Sequence, residues 1–556
     1  MNGKTNSIRP GVMGEPPKPE RSPKPGETLT GSRKHKCVLK WEQTKSRTGH
    51  AGCLETEWSE DRVREAGRPA GSQTEFMLAG AEEPPGRSQS VRSSDEAGND
   101  RGAKGRRKVE GVNVPISENK PASVPETASQ AGDIRDRWSW VELSVWTERM
   151  LMALENGVEG GKWFRLIDKV YAARNLQSAF YAVWRNRGSA GVDGQTVTQF
   201  DQQHEGQLLR LEKELRQGQY QPHPVRRAWI PKPGSHEKRP LGIPAVRDRV
   251  VQAALRHVLE PIFEREFAEH SYGFRPGRGC KGALRRVDGL LKEGYTWVVD
   301  ADLKGYFDTI PHERLLARVQ ERVADGRVIG LIQQFLKQGV MEELKGWQTT
   351  ERGTPQGAVI SPLLANLYLN TLDHQVEAHG WKMTRYADDF VIQCRSREEA
   401  EAALEYVRTW TEAEGLILHP EKTRIVDATQ RGGFDFLGYN FQQGWRSPRK
   451  KSLEKLKDTV RRKTRRNNPT SMEEIIQSLN PTLRGWFEYF KHSSYRSVYR
   501  ALDGWIRMRL RSILRRRHHK CGRGRGIDHH HWPNAYFAQL GLYSLTAART
   551  TGHQSR

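Results

Sequence analysis

The sequence predicts an α+β fold, and three stretches carry that expectation. Thr296-Trp-Val-Val-Asp-Ala-Asp302 reads as a strand, because β-branched and aromatic residues lead into a period-2 alternation that sets Asp300 and Asp302 on one face. Arg385-Tyr-Ala-Asp-Asp-Phe-Val-Ile392 places adjacent acids between an aromatic and a short apolar run, the pattern of a hairpin whose tip presents carboxylates. Further on the spacing turns helical, with Leu479, Leu483, Trp486, Phe487 and Phe490 on one segment and Val498, Leu502, Ile506, Leu510 and Ile513 on the next.

In chain order, residues 1–144 are rich in Gly, Pro, Ser, Glu, Lys and Arg and hold no sustained apolar period. Such a segment is too polar to bury a core and is expected to be a disordered extension. Its many acids set it apart from an organellar transit peptide. Composition changes at Trp138-Ser-Trp-Val141, near which the folded boundary is expected, with the fingers-and-palm region taken from 145 and Met150 and Met152 as alternative starts. Residues 145–447 mix strand-like and helix-like segments, among them a helix opening at Pro311, where proline is tolerated. Residues 448–517 are helical and basic: Ser471 and Glu474 have capping-box spacing, and Arg500, Arg507, Arg511 and Arg515–Arg517 accompany the apolar stripe. Residues 518–556 form a short basic tail.

A chain of 556 residues has room for several domains. Its formal charge of +24 and pI near 9.8 favour polyanionic partners, because Lys and Arg that neutralise phosphates release condensed counterions. No apolar run approaches the roughly 20 residues that cross a bilayer, and no signal peptide opens the chain, so a cytoplasmic, membrane-free protein is expected. The 5 cysteines include no C-x-x-C pair, which excludes a disulfide scaffold and a cysteine-rich zinc site and fits a reducing compartment. His518, His519 and His529–His531 lie in the basic tail, where histidines more often face solvent than bind metal.

If the strand ending at Asp302 neighbours the hairpin carrying Asp388 and Asp389, hard oxygen ligands converge of the kind that hold paired Mg²⁺ ions. An isolated Asp-Asp is more often a solvated turn; its context decides. Tyr386-Ala-Asp-Asp389 resembles the Tyr-x-Asp-Asp signature of reverse transcriptases, and Asp302-Leu-Lys-Gly-Tyr-Phe-Asp308 resembles the metal-binding strand before it. Between them, Gly353-Thr-Pro-Gln-Gly-Ala-Val-Ile-Ser-Pro-Leu-Leu-Ala-Asn366 is similar to the loop and helix that meet template and incoming nucleotide. Upstream, Gly188-Ser-Ala-Gly-Val-Asp-Gly194, the run Ile230–Pro244 and Ser271-Tyr-Gly-Phe-Arg-Pro-Gly-Arg-Gly279 resemble the proteins encoded by group II introns. So do His419-Pro-Glu-Lys-Thr423, Phe436-Leu-Gly-Tyr439, the maturase-like Leu479-Asn-Pro-Thr-Leu-Arg-Gly-Trp486 and Trp532-Pro-Asn-Ala-Tyr536.

The resemblance, to bacterial group II intron-encoded reverse transcriptases/maturases, covers about residues 145–545. It implies a right-hand polymerase fold: fingers and palm over 145–447, a helical thumb/maturase domain over 448–517, and a DNA-binding segment over 518–556. It implies RNA-directed DNA synthesis with two Mg²⁺ ions on Asp302, Asp388 and Asp389. By the same resemblance Lys232 and Arg239 hold the incoming triphosphate, Phe307 excludes a ribose 2′-hydroxyl, Gln356 lies near the nascent base pair, and Lys422 is the acid that protonates pyrophosphate. The implied partners are the intron RNA, an RNA template with a DNA primer, dNTPs and target DNA, in a nucleoid-associated bacterial protein.

Ala358 stands where the family usually has glycine, a methyl expected to crowd the template. No cysteine follows Cys521, so no His-Asn-His nicking module is expected, and priming would use a pre-existing 3′ end. Two other readings compete: a splicing cofactor with an inactive polymerase, against which the intact acids argue, and a host-domesticated or defence reverse transcriptase, against which the maturase-like segments argue.

Overall fold

The computed structural model describes residues 133–231, 238–342, 346–522 and 526–554. Folded structure begins within the stretch expected to be a disordered extension. Asp133 caps a short helix, Ile134–Arg137, Arg137 Nε donates to Glu155 Oε1 at 2.8 Å, Trp138 Nε1 donates to the same oxygen at 3.1 Å, and Val141 is buried. The aromatic residues from Trp138 onward anchor this lead-in to the helix that carries Glu155.

Helix α1 (Ala173–Asn186) buries Leu176, Ala179, Phe180 and Val183 along one face against α2 (Val246–Glu264). α2 is buried along most of Val246–Phe263, its polar residues Asp248, Arg249, Gln252 and Arg256 among them. Asn175 Nδ2 donates to Ala254 O at 3.1 Å across the pair. Next come β1 (Val225–Pro231) and β2 (Lys238–Ile243), an antiparallel ribbon, then α3 (Cys280–Lys292) and β3 (Trp297–Asp302). Two short strands, β4 (Val340–Glu342) and β5 (Gly346–Gln348), extend the ribbon into a sheet of order β2-β1-β4-β5. α4 (Ser361–Ala378) and α5 (Arg397–Ala413) flank a hairpin of β6 (Lys382–Tyr386) and β7 (Asp389–Cys394), and β8 (Arg424–Asp427) completes a second sheet. Its order is β6-β7-β3-β8, and every neighbouring pair is antiparallel.

The side-chain period of two gives this sheet its faces. Val299, Ala301, Phe390 and Ile392 join the main core beneath α4 and α5. Val298 and Val391 face the other way, into a second apolar cluster with α3 and the three-stranded sheet β9 (Phe434–Phe436), β10 (Tyr439–Gln442) and β11 (Trp445–Pro448). Asp302 and Asp389 continue that second face toward the strand ends, beyond its apolar cover.

The basic C-terminal part is helical as expected. α6 (Lys450–Lys463) precedes α7 (Met472–Phe490), which opens on the Ser471/Glu474 capping box and runs through Pro481. On α8 (Ser497–Arg517), Leu502, Ile506, Leu510 and Ile513 are buried while Arg500, Arg516 and Arg517 are exposed. The tail does not stand apart. Phe537 and Leu545 are buried in the same core as α7 and α8, each stabilising it by roughly 1.5–3 kcal/mol. Asp503 accepts from Leu545 N and Thr546 N, both at 3.0 Å, at the start of α9 (Leu545–Gln554). The arginines that made the tail look like a separate binding segment conceal these few apolar anchors. No helix among the described residues is long and apolar enough to cross a membrane.

Candidate active site

Pairing of β3 with β7 sets Asp302 opposite Asp389, and pairing of β6 with β7 sets Tyr386 opposite Asp389. Ala387 and Asp388 are therefore the two residues of the hairpin turn. A two-residue turn needs positive φ at its first position, and Ala387 has φ 60°. Three of the acids read from the sequence thus converge at one end of the sheet, and Asp300 follows Asp302 on the same face.

These acids repel one another. Burial, followed by the charges of Asp388, Asp300 and Asp302, pushes Asp389 up to about 7. Burial and then the charge of Asp302 raise Asp388, while Arg239 and Arg385 act in the opposite direction. Burial raises Asp300 too, partly offset by Arg424, whose Nε lies 3.2 Å from its Oδ2. Lys422 Nζ stands 2.5 Å from Asp302 Oδ2. The segment after α5 puts it there: Lys304 N donates to Ile417 O at 2.8 Å and His419 N to Asp302 O at 2.7 Å.

Clustered carboxylates with excess negative charge suit a hard divalent cation. Among the described residues, however, no three acids, imidazoles or thiols already surround one point at ligating distance. Asp302 is engaged by the Lys422 ammonium instead; the donor chemistry is nonetheless that of a hard cation such as Mg²⁺.

The loop Gly353–Gly357 joins this centre to the β1–β2 ribbon. Thr354 N donates to Phe307 O at 2.6 Å, Gly353 N to Ile310 O at 2.8 Å, and Gly242 N to Gln356 O at 2.7 Å. Phe307 and Gln356 are thereby brought together, both half-buried, with exposed Arg239 nearby on β2. Lys232 lies outside the described residues. Ala358 is buried, so its methyl packs against protein; the expected crowding of a template does not follow.

Sequence reasoning missed the supports of the turn. Asn366, Asn370 and Asp373 share one stripe of α4. Asn370 Nδ2 donates to Glu266 O at 3.0 Å and its Oδ1 accepts from Ala268 N at 3.0 Å. Asp373 pairs with Arg385, which is fully buried on β6. Polar residues at helical spacing among the leucines of α4 and an arginine in phase with buried Met383 were the available signals.

Known proteins resemble this chain over the same stretch. Residues 230–441 match the family described as reverse transcriptase (RNA-dependent DNA polymerase), and residues 453–532 match the maturase-specific domain of group II introns. Protein YkfC of Escherichia coli is 37% identical over 288 residues, 45% of this chain and 74% of that protein. The group II intron-encoded protein LtrA of Lactococcus lactis subsp. cremoris is 39% identical over 199 residues, 35% of this chain. The chain covers 32% of that protein's length. An uncharacterized 91 kDa protein in the cob intron of Schizosaccharomyces pombe is 40% identical over 186 residues, 34% of this chain and 22% of that protein. With a reverse transcriptase domain running into a maturase domain, and with the paired acids at the end of an α+β sheet, this chain belongs to the group II intron-encoded reverse transcriptases and maturases, a class of RNA-directed DNA polymerases.

Proposed function

We propose that Asp302, Asp388 and Asp389 hold two Mg²⁺ ions and join dNTPs to a DNA primer on an RNA template, and that the same protein binds its intron RNA to assist splicing and inserts at a DNA target. The observation that carries this reading is the Asp302–Asp389 pair in register across β3 and β7, with Asp388 in the adjoining turn. Paired Mg²⁺ ions would supply activation of the primer 3′-hydroxyl and neutralisation of the pyrophosphate.

The remaining steps fall to the chain's own groups. Arg239, and Lys232 earlier in the same segment of sequence, offer cations to the triphosphate. Phe307 presents an aromatic edge against a ribose 2′-hydroxyl, and Gln356, fixed through its carbonyl to Gly242, lies against the nascent pair. Lys422 must release Asp302 when a cation arrives, which frees its ammonium to give a proton to the departing pyrophosphate. The exposed arginines of α8 and the lysines opening α6 meet RNA and DNA phosphates by charge.

Primer extension tests the reading. Purified Asp388→Ala and Asp389→Ala should fold and lose at least about three decades of rate, about 4 kcal/mol of barrier. Extension by either at near wild-type rate would remove these acids from the site.

A further inference from the structure

The turn bearing Asp388 is built on a residue that does not favour it. Ala387 sits at φ 60°, the left-handed region in which a Cβ crowds the neighbouring carbonyl. No glycine relieves the position, so the conformation is imposed from outside the turn. Arg385 Nη1 donates to Ala387 O at 2.9 Å. On the other side the Gly273 backbone presses so close that a Cβ there would collide with the Ala387 nitrogen.

Arg385 is itself immobilised. Its Nε and Nη2 meet the Asp373 carboxylate at 2.7 and 2.5 Å, its Nη1 also donates to Asn366 Oδ1 at 2.9 Å, and Asn366 Nδ2 donates to Gly273 O at 2.7 Å. Tyr272 N donates to Arg385 O at 2.8 Å, and Arg385 N to His270 O at 3.0 Å, which lays the Gly273 segment along β6. Arg385, Asp373 and Asn366 are all buried. A buried ion pair adds little net stability over an apolar contact, but it can impose one geometry.

We infer that Arg385 is the positioning residue of the active-site turn: braced by Asp373, Asn366 and Gly273, it holds Ala387 left-handed and so sets the direction in which the Asp388 carboxylate leaves the hairpin. This rests on Asp388 being a metal ligand.

Arg385→Lys keeps the charge and loses the fork. Its kcat should fall roughly 10–100-fold, with KM for dNTP changed by less than about twofold. Mn²⁺ binding to its complex with a dideoxy-terminated primer on an RNA template, followed by electron paramagnetic resonance, should weaken about tenfold. Glycine adopts the left-handed region without penalty, so Arg385→Lys/Ala387→Gly should regain about tenfold of the lost rate and the Mn²⁺ affinity with it. Wild-type rate and Mn²⁺ affinity in Arg385→Lys would overturn the inference, as would a well-folded double variant no better than the single. Should Arg385→Lys fail to fold, Asn366→Leu, which spares the ion pair, is measured with and without Ala387→Gly to the same criteria. An active Asp388→Ala would instead remove the ligand assignment itself, whereas an inactive Asp388→Ala beside an unaffected Arg385→Lys removes only the brace.

Discussion

Asp302 and Asp389 occupy the last paired position of β3 and β7, directly across from each other on one face of the sheet. Burial, with the charges of Asp388, Asp300 and Asp302 beside it, raises Asp389 above the ordinary carboxylate range. The fold thus stores a charge imbalance at this end of the sheet.

That imbalance should be visible in metal-free stability. Asp389 has a folded pKa of about 7, above the unfolded value of about 3.9. The group therefore contributes stability fully below about pH 4, and this is lost as pH rises through about 7. In EDTA, Asp389→Asn should flatten the fall in Tm between about pH 5 and pH 8 and raise Tm at the upper end. Mg²⁺ should raise the wild-type Tm there more than that of the variant. Equal slopes in the two proteins would count against a repelled Asp389.

The Lys422–Asp302 contact of 2.5 Å must open when a cation binds. Lys422→Gln should therefore need less Mg²⁺ for half-maximal extension while kcat falls roughly 10²-fold, the size of a lost general acid. An unchanged kcat would leave Lys422 as a counter-ion alone.

Phe307 is half-buried beside the Gly353–Gly357 loop. Replacing it by alanine opens space without removing a charge, so discrimination against rNTPs should drop by roughly tenfold or more, measured as the ratio of kcat/KM for dNTP and rNTP. Retention of full discrimination would move the steric gate elsewhere.

Gly353 has φ 85°, and a Cβ on it would lie 2.7 Å from Asp308 Cα and Phe307 O. Gly353→Ala should cost roughly 1–3 kcal/mol in denaturant melts and should weaken dNTP binding, because Phe307 and Thr354 must move apart. A variant with wild-type stability and KM would show that the loop yields freely.

Splicing assistance should survive loss of polymerisation, since RNA binding by charge and stacking needs none of the three acids. Folded Asp388→Ala should still promote intron splicing at low Mg²⁺. Parallel loss of both activities would argue for one shared surface.

Local pattern made much of this legible. Alternation gave β3 and the side on which Asp300 and Asp302 lie, the acids between Tyr386 and Phe390 gave the hairpin, and the Ser471/Glu474 spacing gave the start of α7. The contacts that hold the turn were not legible, because Arg385, Asn366 and Gly273 are far apart in sequence and meet only after β6, α4 and the preceding segment have packed. The seating of the tail was hidden for a related reason: its charge dominates the composition, while Phe537 and Leu545 are the residues it buries in the core of α7 and α8.

The seating of that tail bears on how its role can be found by experiment. Asp503 on α8 receives the backbone of Leu545 and Thr546, and Arg511 donates to Trp532 O at 2.9 Å and to Asn534 Oδ1 at 2.8 Å. Shortening the chain from its C-terminus would strip a buried aspartate and a buried arginine of their partners before any nucleic acid was lost, and the helices beneath would loosen. Deletion mapping would then credit the tail with every property of the domain it closes, and only charge-reversing substitutions on its exposed side chains would separate grip on DNA from integrity of the support.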